Sequence, residues 1–257
     1  MSFKPLTNMC YHASVSATYK QLEERYDRPF NGDLFPSFTQ VSDVVGFHLN
    51  GFDFPLMPII TQESKQELSN YYWGLIPSFT KSFEESRKIR SLCLNAKSET
   101  IFEKPSFKQS VINKRCLVPI TGFFEWKKET ETTKIPYFIH LSNETIFSLA
   151  GIYSDWFNPI DQKTYYTFSI ITTVANELMS TIHNTKCRMP AIIAKENENE
   201  WLEKSLSSVQ IKALLRPISS NSMNAYTISP LITSRKQSSN VPNVLKPYNY
   251  NKLDLFS

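Results

Sequence analysis

Residues 115–128 read RCLVPITGFFEWKK, and this stretch decides the fold class. β-branched and aromatic side chains fill both halves, and Gly122 breaks the run between them. That composition suits a pleated, half-buried surface, so the stretch predicts strands. Downstream, IPYFIHLS (135–142), IFSLAGIYSDW (146–156) and YYTFSIITTVA (165–175) alternate in the same way. Short helices are expected at 175–183, in ENENEWLEKS (196–205) and in SVQIKALLR (208–216). Upstream, SATYKQLEERYDR has helical spacing over 16–28, and 44–61 reads as short strands with irregular turns. NYYWGLIPSF (70–79) is a strand entering a loop, and the mixed charges of KSFEESRKIR (81–90) suit a solvated face or loop. The tail, 238–253, is polar and expected along the surface. The sum is an α+β fold: a single domain of curled, largely antiparallel β-sheets flanked by short helices.

The chain has 257 residues, 41% of them hydrophobic and 13% aromatic, enough for a substantial core. A formal charge of +4 is compatible with a polyanion partner without requiring one. The four cysteines (Cys10, Cys93, Cys116, Cys187) form no C-x-x-C pair, which argues against a zinc site or a disulfide scaffold. No metal or other cofactor is expected. Residues 1–8 lack the apolar core of a signal peptide, and no apolar run approaches a membrane span. A soluble, cytoplasmic monomer is expected.

One stretch raises a chemical question. In LTNMCYHASVS (6–16), Cys10 follows Met9. A chain starting at Met9 and losing it would begin with cysteine, a 1,2-aminothiol. Its amine condenses with aldehydes and its thiol then closes a five-membered ring. A terminal amine with a pKa of about 7.7–8.0 is partly neutral at pH 7, whereas an ordinary lysine is not. Loss of water needs an acid, a role for a carboxyl group whose pKa is raised in an apolar setting. Glu125, between Phe124 and Trp126, is such a candidate. His183 offers an imidazole for proton transfer, and Asn95 a non-titrating orienter. Taken singly, each has an ordinary reading: a small buried cysteine, a solvated glutamate, a structural histidine, a turn asparagine.

Together, and in order, MCYH, WGLIPSF, LNAKSET, RCLVPITGFFEWKK and IHNTKCRMPAII resemble the SRAP family, the SOS-response-associated peptidase-like proteins that crosslink covalently to abasic sites in DNA. The resemblance runs from Met9 to about residue 240. It implies an SRAP-like domain over 9–240, a prefix (1–8) removed or mis-assigned, and a C-terminal tail (241–257). It implies a thiazolidine link through Cys10, with Asn95, Glu125 and His183 as the polar trio around it, and abasic single-stranded DNA as partner, with nucleoid association when bound. Trp73 and Pro77 fall in the region resembling the family's DNA-facing wedge. Arg87, Lys88, Arg90, Lys97, Arg115 and Arg188 are candidate phosphate contacts; Arg188 reads equally well as a structural partner of a carboxylate.

The chain departs from the family pattern in three places. Tyr11 and His12 replace the usual Gly and Arg, and His12 is a candidate replacement contact. Lys97 replaces an arginine and so loses the bidentate fork. His183 stands further from Arg188 than is usual. With residues 1–9 attached, Cys10 has an amide nitrogen and no nucleophilic amine. A start at Met9, removal of the prefix by proteolysis, or loss of covalent chemistry would each account for this. Two other functions stay open: a cysteine peptidase using Cys10 and His183, and a noncovalent single-strand binding module.

Overall fold

The glycine within 115–128 separates two strands that belong to different sheets. The computed structural model describes residues 10–31, 40 and 43–250. In chain order, β1 (His12–Thr18) runs into α1 (Tyr19–Tyr26), followed by β2 (Val44–Asn50), β3 (Leu56–Thr61) and β4 (Ser69–Trp73). Then come α2 (Phe83–Leu92), β5 (Asn95–Lys97), α3 (Lys108–Asn113), β6 (Arg115–Ile120), β7 (Gly122–Lys128) and β8 (Lys134–Leu141). The long strands β9 (Phe147–Asn158) and β10 (Lys163–Val174) precede α4 (Glu177–Ile182), β11 (Arg188–Pro190) and β12 (Ile192–Ile193). The chain continues through α5 (Glu198–Trp201), α6 (Ser208–Leu214) and β13 (Met223–Thr227).

Strands β3, β4, β10, β9 and β6 pair in a closed ring, antiparallel except for β4 with β10. A second sheet, ordered β13-β8-β7-β1-β2, is antiparallel throughout and lies against this barrel. The α+β expectation of curled, largely antiparallel sheets with short helices describes this architecture. Thr121 carries the chain from one sheet to the other, its N–H donating to Ser14 O at 2.8 Å. At Gly122 a Cβ would lie 2.3 Å from the Phe138 ring and 2.7 Å from Ile139 O. The glycine is therefore needed because β8 passes too close for any side chain.

Several local expectations shift. Residues 16–18 extend β1 instead of opening the helix, which starts at the Thr18–Gln21 capping box. Residues 81–90 fall largely within α2, whose one buried residue is Ser86, so the charges do form a solvated face. The polar tail is not merely superficial as far as it is described. Val244 is fully buried and packs in an apolar cluster with Phe124, Phe138, Ile228 and Ile232. Residues 1–8 and 251–257, the prefix and the end of the tail, lie outside the described residues. Among the described residues no helix is long and apolar enough to cross a membrane.

Candidate functional site

The register of β1 against β7 brings Cys10 to Glu125. Ala13 pairs with Phe123 and Ser14 with Gly122, so the residues preceding β1 continue alongside Glu125 and Trp126. Side chains alternate along β7. Phe123 joins the main core with Cys10, whereas Phe124 and Trp126 pack on the other face with the second cluster. Glu125 shares the face of Phe123, so its apolar setting comes from the main core and not from its sequence neighbours. Burial pushes the Glu125 carboxyl up, and the nearby His183 imidazole opposes the shift. The Cys10 thiol reaches the same carboxyl, and burial followed by the Glu125 charge pushes it well above the usual thiol range.

The other two members arrive from the barrel side. Asn95 opens β5, which pairs with β10, and its Nδ2 donates to Cys10 O at 3.0 Å. His183 caps α4. The residues Asn184–Cys187 loop outward and close on themselves, with Cys187 N–H donating to His183 O at 2.9 Å. The wider spacing is thus taken up in a turn, and His183 Nδ1 still lies 3.0 Å from Arg188 O. A carbonyl only accepts, so the proton of that bond is on Nδ1, which leaves Nε2 as the imidazole's free nitrogen. His183 Nδ1 is 3.7 Å from Glu125 Oε1. Among the described residues, Glu125 Oε1 and Asn95 Oδ1 are buried without a hydrogen-bond partner. Leaving a buried polar atom unpaired costs about 1–3 kcal/mol, a cost that a group seated beside Cys10 would offset.

A pocket of about 280 Å³ opens onto this cluster, lined by Tyr11, His12, Phe52, Glu125, Trp126, Lys134, His183 and Thr185. Phe52, Lys134 and Thr185 went unread in the sequence. They come from three separate segments, and no local pattern marks them. Tyr11 packs against Phe52 with ring centroids 4.7 Å apart and the rings tilted at 49°.

The expected DNA contacts divide. Trp73 is a core residue: it is 1% exposed, and its indole donates to Leu94 O, fixing the strand that presents Asn95. It cannot stack on a base from there. Pro77 is buried as well, while Phe79, two residues on, is 50% exposed. Arg115 is fully buried, and its guanidinium donates to backbone carbonyls of Trp201, Val111, Ile112 and Glu203. Its donors are consumed by the fold, so it is no phosphate contact. Arg188 pairs with Glu99 and donates to Thr172 O, the structural of its two readings. Arg90 lies 4.0 Å over the Phe54 ring, half-buried in an aromatic slot. Arg87, Lys88 and Lys97 are exposed; Lys88 shares an exposed pair with Glu84, which holds it weakly. His12 lies 2.8 Å from His48 Nε2, and burial holds its pKa down at about 3. Any contact it makes near neutral pH is therefore an uncharged hydrogen bond.

A closed barrel joined to an antiparallel sheet, with cysteine, asparagine, glutamate and histidine meeting at the junction, defines a class of protein. The family model described as "SOS response associated peptidase (SRAP)" matches residues 9–235, and the chain belongs to that family. "Abasic site processing protein YoqW" of Bacillus subtilis is 40% identical over 185 residues, covering 72% of this chain and 79% of that protein. "Abasic site processing protein HMCES" of Rattus norvegicus is 30% identical over 203 residues, covering 68% of this chain and 55% of that protein. A crystal structure of a Bacteroides thetaiotaomicron protein superposes with a TM-score of 0.86 at 42% identity, covering 93% of this chain and all of that one.

Proposed function

We propose that this protein processes abasic sites in single-stranded DNA by covalent capture at Cys10. The observation that carries the reading is the pair of unpartnered buried atoms, Glu125 Oε1 and Asn95 Oδ1, beside a cysteine whose thiol meets a carboxyl. Relatives named for abasic-site processing support it. With Cys10 as first residue, its neutral amine adds to the ring-opened C1′ aldehyde. The carbinolamine loses water to give a protonated imine, the departing oxygen taking its proton from Glu125 in its acid form. The thiol sulfur then bonds to C1′ and its proton passes to the Glu125 carboxylate, which regenerates the acid, while the ring nitrogen keeps the one proton it already carries. The product is a thiazolidine, and one water has left. Asn95 holds the Cys10 backbone, and His183 Nε2 exchanges a proton with the sugar oxygen.

The peptidase reading is weaker. A nucleophilic cysteine needs its thiol pKa lowered by an adjacent imidazolium, whereas here burial and a carboxyl raise it. Processing of the prefix, by a start at Met9 or by cleavage, completes the proposal. The test compares chains starting at Met1 and at Met9 on an oligonucleotide with one abasic site, resolved on a denaturing gel. A shifted band lost in Cys10→Ala is the expected result, from the Met9 chain alone or from both if the longer chain sheds its prefix, as intact mass would report. Binding without any covalent band in either chain would leave the noncovalent module.

A further inference from the structure

His12 and Trp126 stand between two cavities. On one side is the pocket holding Glu125; on the other is a groove of about 840 Å³ lined by His48, Leu49 and Asn50 of β2 and by residues within 232–240. Residues 232–240 are held in place across β2. Asn240 Oδ1 accepts from the N–H of Phe47 at 2.7 Å and of His48 at 3.1 Å, and Ser239 Oγ meets His48 Nδ1 at 2.7 Å. Ser234 Oγ accepts from the N–H groups of Lys236 and Gln237, which folds a tight turn around Arg235.

The groove's chemistry is uneven. Hydroxyls and amides dominate this wall: Ser234, Gln237, Ser238 and Asn240. Arg235 is the one arginine or lysine in the lining, is exposed, and makes no ion pair among the described residues. The two histidines add no charge, since burial holds them at about 3 and about 4. Asp53 is the one carboxylate, and it lies near enough to His48 to oppose that shift. A single carboxylate cannot build a cation cage, and the wall is too polar for an apolar peptide. Hydroxyls, amides and an unpaired guanidinium are the groups that position a nucleic-acid backbone without reading its bases.

We propose that the groove between β2 and residues 232–240 carries the phosphodiester backbone of the strand on one side of the lesion, with Arg235 as its phosphate contact. The proposal rests on the abasic-DNA reading for what fills the adjoining pocket. The test uses Cys10→Ala protein, so that binding stays noncovalent, and labelled single strands with a tetrahydrofuran abasic analogue. One strand extends on both sides of the analogue; the others are trimmed on the 5′ or the 3′ side. Anisotropy across a salt series gives the slope of log affinity against log salt. Adding Arg235→Gln should reduce that slope by about 0.7 on the full strand, the value of one phosphate contact. It should do the same on one trimmed strand and nothing on the other. An unchanged slope on the full strand, or an equal reduction on all three strands, overturns the proposal. If unmodified protein shows no preference for abasic over intact strands, the abasic-site reading fails, and slopes on intact strands still decide the groove.

Discussion

Glu125 and Lys97 both belong to the surroundings of Cys10, and they are held in opposite ways. Glu125 sits at 5% exposure on β7, paired with Tyr137 of β8 at its own position and held two residues earlier by the pairing of Phe123 with Ala13 of β1. Lys97 ends a three-residue strand and is exposed. The same contrast separates Arg115, whose donors are spent on four carbonyls, from Arg87, which faces solvent on α2. Reactive groups and fold-bearing cations are positioned by burial. Groups available for grip are left outside, where their charge is cheap to keep and easily screened. Substitutions should therefore split sharply: losses of rate or stability inside, changes of salt dependence outside.

The largest effect is expected at Glu125. Glu125→Gln keeps the shape and removes the proton shuttle, so the crosslinking rate should fall by about 10²-fold or more, the usual scale for a general acid–base group. Single-turnover gels across pH check this. Crosslinking by the unaltered protein should pass through a maximum with pH, rising as the terminal amine loses its proton and falling as the carboxyl loses its own, and Glu125→Gln should lack the falling limb that the carboxyl sets. Trp73→Ala should cost about 3–5 kcal/mol of stability by denaturant unfolding, as a large buried aromatic does. Phe79→Ala should leave stability unchanged and weaken binding of single strands by about 1–3 kcal/mol if a base stacks there. If Phe79→Ala destabilises and Trp73→Ala does not, the division between inside and outside is wrong. A smaller effect concerns stability and pH. The Glu125 carboxyl is raised in the folded state, so the protein is penalised as pH rises through that raised value and the charge is buried. Glu125→Gln should therefore melt above the unaltered protein near pH 8. The two should converge as pH falls toward the ordinary carboxylate range. The smallest effect is at Lys97: Lys97→Ala should leave the melting temperature unchanged and reduce the salt slope by about 0.7.

How much of this was legible in the sequence follows the same division. The strands announced themselves because β-branched and aromatic alternation is local, and the polar cluster because its members lie in ordered, distinctive stretches. The closure of the barrel was not legible, since it depends on β10 pairing with β9, β4 and β5 along one strand. Trp73 and Arg115 were misplaced because sequence shows residue type and not burial: an indole or guanidinium serves a core as readily as a surface once its donors find carbonyls. The environment of Glu125 was misread for a related reason. Phe124 and Trp126 are its neighbours in sequence, yet the pleat turns them to the opposite face. The partition formed by His12 and Trp126, and the groove behind it, join segments more than a hundred residues apart and left no local trace.

The most direct test of covalent capture at Cys10 is mass mapping of the crosslinked product. Protein starting at Met9, with that methionine removed, is reacted with an abasic oligonucleotide, digested with nuclease and trypsin, and fragmented. The account predicts a sugar adduct on the peptide beginning at Cys10, one water lighter than the sum of its parts, with no free thiol. An adduct on a lysine, or on a cysteine other than Cys10, would contradict it.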